Sequence, residues 1–150
     1  MPKKPPDPKT QALKLLARRE HSARELRRKL AARGITDDEA AAAVEHAIAE
    51  NWQSDARYAG MLVRTRVSGG YGPARIEAEL EVAGVPSEQV RAALDEAAVD
   101  WTALAVEVHA KKFGRAPKTS AERAKQYRYL QGRGFDSSQI AAALKGSGDD

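Results

Sequence analysis

Shifting the 150-residue chain by fifty positions lays it upon itself. The shift superimposes Leu30, Leu80 and Leu130, then Gly34, Gly84 and Gly134, each glycine followed at once by an apolar residue: Ile35, Val85 and Phe135. The register continues through Ala40, Val90 and Ile140 to Val44, Leu94 and Leu144 without a gap. Periods of this length mark one supersecondary unit copied in tandem. Inside each copy the spacing predicts helix, turn, helix. Leu26 with Leu30, and Ile76 with Leu80, lie four apart on one helical face. The column glycine then falls where a helix ends in a left-handed residue. Thr36 with Glu39, and Asp136 with Gln139, have the spacing of a capping box that opens the next helix, whereas Pro86 takes the capping position in the middle copy. The third copy departs at Gln126, which stands in the column of Leu26 and Ile76, so Ala124, Tyr127 and Leu130 are expected to face inward instead.

One more helix precedes each pair. Thr10 to Arg19 is the first, ending before a capping box of Ser22 and Glu25. Ser54 to Ser68 is the second, broken by Gly69 and Gly70, with Pro73 suited to the first turn of the helix after it. Asp100 to Phe113 is the third, stopped at Gly114. The expected fold is all-α: three tandem three-helix repeats over residues 10–50, 54–99 and 100–145, with tails at 1–9 and 146–150. Composition agrees, since 42% of residues are hydrophobic but only 5% are aromatic, too few for a β-sandwich. A unit this small buries little alone, so neighbours must share core and an elongated, curved molecule is expected.

Charge comes in blocks. From Met1 to Ile35 there are 11 Lys/Arg against three acids, and from Thr36 to Ala56 six acids and no Lys or Arg. Arg57, Arg64, Arg66 and Arg75 follow; Glu77 to Glu107 is acidic again, and Val108 to Phe135 has eight basic residues against Glu122. Such segregation suits partners of both signs, although solvated helix ends produce similar blocks. Arg57 and Arg64 lie seven apart, on one stripe beside the apolar face of Tyr58, Met61 and Leu62, so both are expected to reach outward without supporting the core. The contact set drawn from these blocks is Arg18, Arg19, Arg57, Tyr58, Arg64, Arg66, Tyr71 and Arg75. For each a bland alternative stands: pairing with nearby acids for Arg57 and Arg64, complementing a helix C-terminus for Arg18 and Arg19, packing for Tyr58 and Tyr71.

Catalytic chemistry has little to build on. There is no cysteine, hence no disulfide, thiolate metal site or cysteine nucleophile. His21, His46 and His109 form no His-x-x-x-His pair and read as surface or helix-end residues, so neither metal nor cofactor is expected. Gly69-Gly70-Tyr71-Gly72 superficially resembles a phosphate-cradling loop, but no Gly-Lys-Ser/Thr completes it and Pro73 lacks an amide donor. No run of about 18 apolar residues is present to span a membrane, and the N-terminal stretch has no apolar core of a secretory signal; a cytoplasmic location follows by default.

The segment Ala12-Leu-Lys-Leu-Leu-Ala-Arg-Arg-Glu-His-Ser22, continuing through Glu25-Leu26, Leu30 and Gly34, resembles the start of bacterial RecX proteins. The central Asp55-Ala-Arg57-Tyr58-Ala59, Arg64 and Gly70-Tyr71-Gly72-Pro73, with Ile76, Leu80 and Gly84, resembles their middle. Lys112-Phe113-Gly114, Pro117, Lys125 and Arg133-Gly134-Phe135 with Gln139-Ile140 looks like their last repeat. The resemblance spans about residues 10–145 and implies three three-helix repeats, no catalytic residues, and basic contact positions at Arg18, Arg19, Arg57 and Arg64. It further implies a regulator that binds the RecA recombinase or its filament on single-stranded DNA. Such a protein inhibits filament extension, strand exchange and ATP hydrolysis, within homologous recombination, DNA repair and the SOS response. Beside RecA, DNA bound directly and weakly is the further partner expected. The alternative from the residues is a DNA-binding helical protein acting on nucleic acid directly, through helix-turn-helix-like pairs. Against it, Leu80 to Val108 is acidic and Asn51 is the only asparagine available for reading bases.

Overall fold

A computed structural model of the chain describes residues 7–145. Among them are nine helices and no strand: α1 (Pro8–Arg18), α2 (Ala23–Ala32), α3 (Asp37–Ala49), α4 (Asp55–Ser68), α5 (Pro73–Val82), α6 (Ser87–Ala97), α7 (Trp101–Lys112), α8 (Ser120–Gly132) and α9 (Ser137–Leu144). The first helix begins earlier than expected. Asp7 caps it by accepting from the Thr10 amide at 3.2 Å, and Pro8 occupies the first turn, where a missing N–H costs nothing. Pro8 and Lys9 are therefore helical rather than tail; residues 1–6 and 146–150, where the remaining tails were expected, lie outside the described residues.

The three column glycines build one device three times. Gly34, Gly84 and Gly134 have φ of 86°, 83° and 101°. In each copy the glycine amide donates to the carbonyl three residues back (Ala31, Glu81, Gln131). The amide of the next residue reaches five back, from Ile35, Val85 and Phe135 to Leu30, Leu80 and Leu130 at 3.3, 3.0 and 3.2 Å. This is a Schellman C-cap, which folds the apolar residue after the glycine back onto the helix just ended. Both ends of that contact are buried in all three copies. Helix starts are less uniform. Asp136 and Gln139 close a full capping box, at 2.8 and 2.9 Å. Ser22 and Thr36 only accept from the amides of Glu25 and Glu39. Glu25 turns its carboxylate to Arg19 instead.

The described chain divides into two compact units that cut across the middle repeat: residues 7–61 with Leu80–Ala93, and Leu62–Glu79 with 94–145. In the first, α1 and α2 pack on α3 around Ala12, Leu15, Leu26, Leu30, Ile35 and Val44. In the second, α7 and α8 pack on α9 around Ala105, Leu130, Phe135, Ile140 and Leu144. Each fully buried leucine or isoleucine here contributes about 1.5–3 kcal/mol over its exposed state. The third repeat corrects one expectation. Gln126 is buried in its column after all and accepts from His109 Nε2 at 2.7 Å, whereas Ala124 is exposed. The polar side chain enters the core because a buried partner satisfies it.

Candidate functional site

Four of the eight expected contact residues belong to the first unit. Arg18, at the end of α1, is exposed and makes no hydrogen bond or ion pair among the described residues. Arg19 is engaged: Nη2 and Nη1 donate to the two carboxylate oxygens of Glu25 at 2.7 and 3.2 Å, and Nη1 also reaches the Glu20 carbonyl. Burial alone would push the Glu25 carboxyl up, but the Arg19 hydrogen bonds and charge, with the cationic surroundings, outweigh it and hold the carboxyl below its usual range. His21 completes this knot. Its Nδ1 lies 2.9 Å from the Arg19 carbonyl and its Nε2 lies 3.0 Å from Lys29 Nζ. That geometry requires a neutral ring with the proton on Nδ1. Burial pushes the imidazole below its ordinary value. His21 and His109, read as surface or helix-end residues, are buried at 2% and 3% exposure.

Arg57 is exposed at 41% of its side chain, but it is engaged by the fold. Its Nε donates to Glu20 at 2.8 Å, Nη1 to the Asn51 side chain, and Nη2 to the Asn51 and Trp52 carbonyls at 3.0 and 2.9 Å. It fastens α4 to the end of α3 and to the turn after α1. Asp55 does the same for α2, accepting from the Ala23 amide and from Gln53 Nε2, each at 2.9 Å. Tyr58 is buried at 9% exposure, as the packing alternative expects. Asp55 and Arg57 thus tie the helices of this unit together, which corrects the expectation that Arg57 supports nothing in the fold.

The other four belong to the second unit. Arg66 grips Glu79 with Nε and Nη2 at 2.8–3.1 Å, tying α4 to α5, and Arg75 Nε lies 3.7 Å from the same carboxylate. The Arg66 hydrogen bonds hold Glu79 below the usual carboxylate range. Arg64 is exposed and makes no hydrogen bond or ion pair among the described residues. Tyr71 is half-buried, and the guanidiniums of Arg75 and Arg133 both lie 4.4 Å from its ring centroid.

Two backbone turns bring Arg133 there. The Gly72 amide donates to the Arg133 carbonyl at 2.7 Å and the Ala74 amide to the Gly134 carbonyl at 3.0 Å. A Cβ on Gly72 would sit 2.5 Å from Gly134 carbon, so only glycine allows this approach. The amides of Gly69, Gly70, Tyr71 and Gly72 all donate to carbonyls of the chain, at 2.7–3.1 Å. None is left for a phosphate, so the run is a packing turn. Arg133 itself donates from Nη1 to the Gly69 carbonyl at 2.8 Å and from Nε to the Tyr129 hydroxyl at 3.2 Å. Lys112 Nζ lies 5.2 Å from the Tyr129 ring centroid. Arg133, Tyr129 and Lys112 were absent from the expected contact set. The available signal was that Arg33 and Arg133 precede the column glycine in two of three copies. Among the described residues no group of three or more metal-ligating side chains comes together. No described helix is long and apolar enough to cross a membrane. What the site offers is cations braced on aromatic rings, donors for phosphate or carboxylate oxygens.

Three profiles of one family match this chain in order: RecX, first three-helix domain, over residues 9–46, second over 54–94 and third over 99–144. The Regulatory protein RecX of Xanthomonas oryzae pv. oryzae (strain MAFF 311018) is 46% identical over 139 residues, 92% of this chain and 87% of that one. That of Stenotrophomonas maltophilia (strain R551-3) is 45% identical over 144 residues, covering 95% and 88%. The crystal structure of RecX from Lactobacillus salivarius superimposes with a TM-score of 0.75 at 21% identity, over 92% of each chain, a likeness of fold.

Proposed function

The chain belongs to the RecX family, and from that premise we propose that it binds the RecA recombinase, or the filament RecA forms on single-stranded DNA, and inhibits it. Filament extension, strand exchange and the coupled ATP hydrolysis are the activities restrained. The observation that carries this reading is the match of all three family domains, in order, across residues 9–144. The chain acts in the cytoplasm as a regulator without chemistry of its own, needing neither metal nor cofactor.

Physical support comes from cations the fold does not use. Arg18 in the first unit and Arg64 in the second are exposed and make no ion pair or hydrogen bond among the described residues. They replace Arg57 as the residues to test. Contacts spread over many points let individually weak patches sum to useful affinity. A second reading, direct DNA binding, is favoured by one feature: Arg115, Lys118, Arg123, Lys125 and Arg128 are all exposed. The nearby acid Glu122 is occupied by the Lys118 amide at 2.8 Å.

Two assays separate these readings. ATP hydrolysis by RecA on single-stranded DNA should fall as the chain is added, at concentrations where a shift assay without RecA shows little DNA bound. Unchanged hydrolysis beside strong binding to bare DNA would favour the second reading and overturn the first.

A further inference from the structure

Within the second unit, the end of α4, one face of α7 from Leu104 to Lys112 and the end of α8 border an open cleft of about 270 Å³. Its floor is apolar, built from Val67, Leu104 and Val108, and its rim carries Lys111, Lys112 and Arg133. Glu107, the one acid in the lining, lies 3.7 Å from Lys111 Nζ and offsets that lysine. Lys112 and Arg133 remain, both held against Tyr129, with Nζ 5.2 Å and Cζ 5.4 Å from its ring centroid. Arg133 is fixed before any ligand arrives by the Gly69 carbonyl, the Tyr129 hydroxyl and the Tyr71 ring. Preorganisation of this kind lowers the entropic cost of binding. The lip is kept bare by glycine: a Cβ on Gly70 would come within 3.0 Å of Val108 Cγ2 and 3.8 Å of Arg133 Nη1.

Paired cations beside an apolar floor and an aromatic ring select a ligand that is anionic at one end and flat and apolar at the other. An acidic peptide fills the rim and leaves the floor empty; an apolar helix fills the floor and buries two charges unpaired. We propose that this cleft binds a nucleotide unit, its phosphate on Lys112 and Arg133 and its base over Val67, Leu104 and Val108 beside Tyr129. Bases stack on aromatic and guanidinium planes in this way, and phosphates take lysine and arginine as partners. The unit comes either free or as one link of a single strand. The inference does not rest on the RecA reading.

An ¹⁵N–¹H NMR titration of the full chain, without RecA, tests it residue by residue. The probes are thymidine monophosphate, a thymidine hexanucleotide, inorganic phosphate and polyglutamate. Signals of Ser68, Gly69, Gly70 and Lys112 should move with the hexanucleotide, and also with the monophosphate where a free nucleotide suffices. Lys112→Ala should weaken the binding by about tenfold and lower the salt slope by about one unit. Ser68→Glu, at the exposed end of α4, should abolish it while the circular-dichroism melt stays intact. Equal movement with phosphate or polyglutamate, movement confined to other residues, or full affinity in both folded variants would overturn the proposal. Because RecA is absent, failure here leaves the regulatory reading standing.

Discussion

His21 shows how much a single side chain carries in a small helical unit. Its buried ring links the Arg19 carbonyl to the Lys29 ammonium, beside the Glu25 carboxylate. A proton on Nε2 would set two cations against each other, and burial already lowers the pKa of the ring from the ordinary 6.5. A depressed histidine contributes stability fully above its unfolded value, and that contribution is lost as pH falls below about 6.5 toward the folded value. Melting temperature should therefore drop between pH 7.5 and 5.5, and His21→Gln should flatten the drop; an equally steep fall in the variant would place the titrating group elsewhere. His109 and Gln126 make a second buried polar pair, at 2.7 Å. Gln126→Leu restores the apolar column yet orphans His109, so it should cost about 1–3 kcal/mol, while Gln126→Leu with His109→Leu should be nearly neutral. Urea unfolding of the two variants checks this, and a stabilised single variant would contradict it. Neither pair was legible in the sequence. Polar partners seventeen residues apart leave no periodic trace, and an isolated histidine reads as surface until its neighbours are known.

At the scale of the helix and its turn, the fifty-residue register foretold most of the structure. Helix ends were readable because a left-handed C-cap demands glycine and an apolar residue after it, so three copies repeat the same letters. The three cap glycines differ in surroundings, and that difference is measurable. A Cβ on Gly34 meets nothing within 4 Å, but one on Gly134 would come 2.6 Å from Arg75 Cβ. Gly34→Ala should cost only the left-handed strain of about 1–2 kcal/mol. Gly134→Ala should cost distinctly more, and equal losses in thermal melts would sink the close approach between the turns. Leu80 is fully buried in the middle copy, and Leu80→Ala should cost about 2–5 kcal/mol. A melting temperature unchanged by it would remove the register itself. Helix starts were less legible, because Ser22 and Thr36 cap without their glutamates closing the box; a carboxylate at the third position is free to choose a nearer cation.

Across the whole molecule, the site was harder to read than the fold. Segregated charge was visible in the sequence, but whether an arginine is spent on folding depends on carbonyls and carboxylates that only the folded chain brings near it. Arg57 holds two carbonyls and Glu20, whereas Arg64, seven residues on along α4, is exposed and makes no hydrogen bond or ion pair among the described residues. Arg57→Ala should lower stability by about 1–2 kcal/mol. Arg64→Glu should leave the melt unchanged and weaken inhibition of RecA, read in the same ATP hydrolysis assay; a destabilised Arg64→Glu, or a neutral Arg57→Ala, would reverse these roles. The central claim is physical association with the RecA filament, and its most direct measurement is electron microscopy of filaments on single-stranded DNA with and without the chain. The account predicts added density on the filaments, weakened in Arg18→Glu with Arg64→Glu. Bare filaments at saturating concentrations of the folded chain would contradict it.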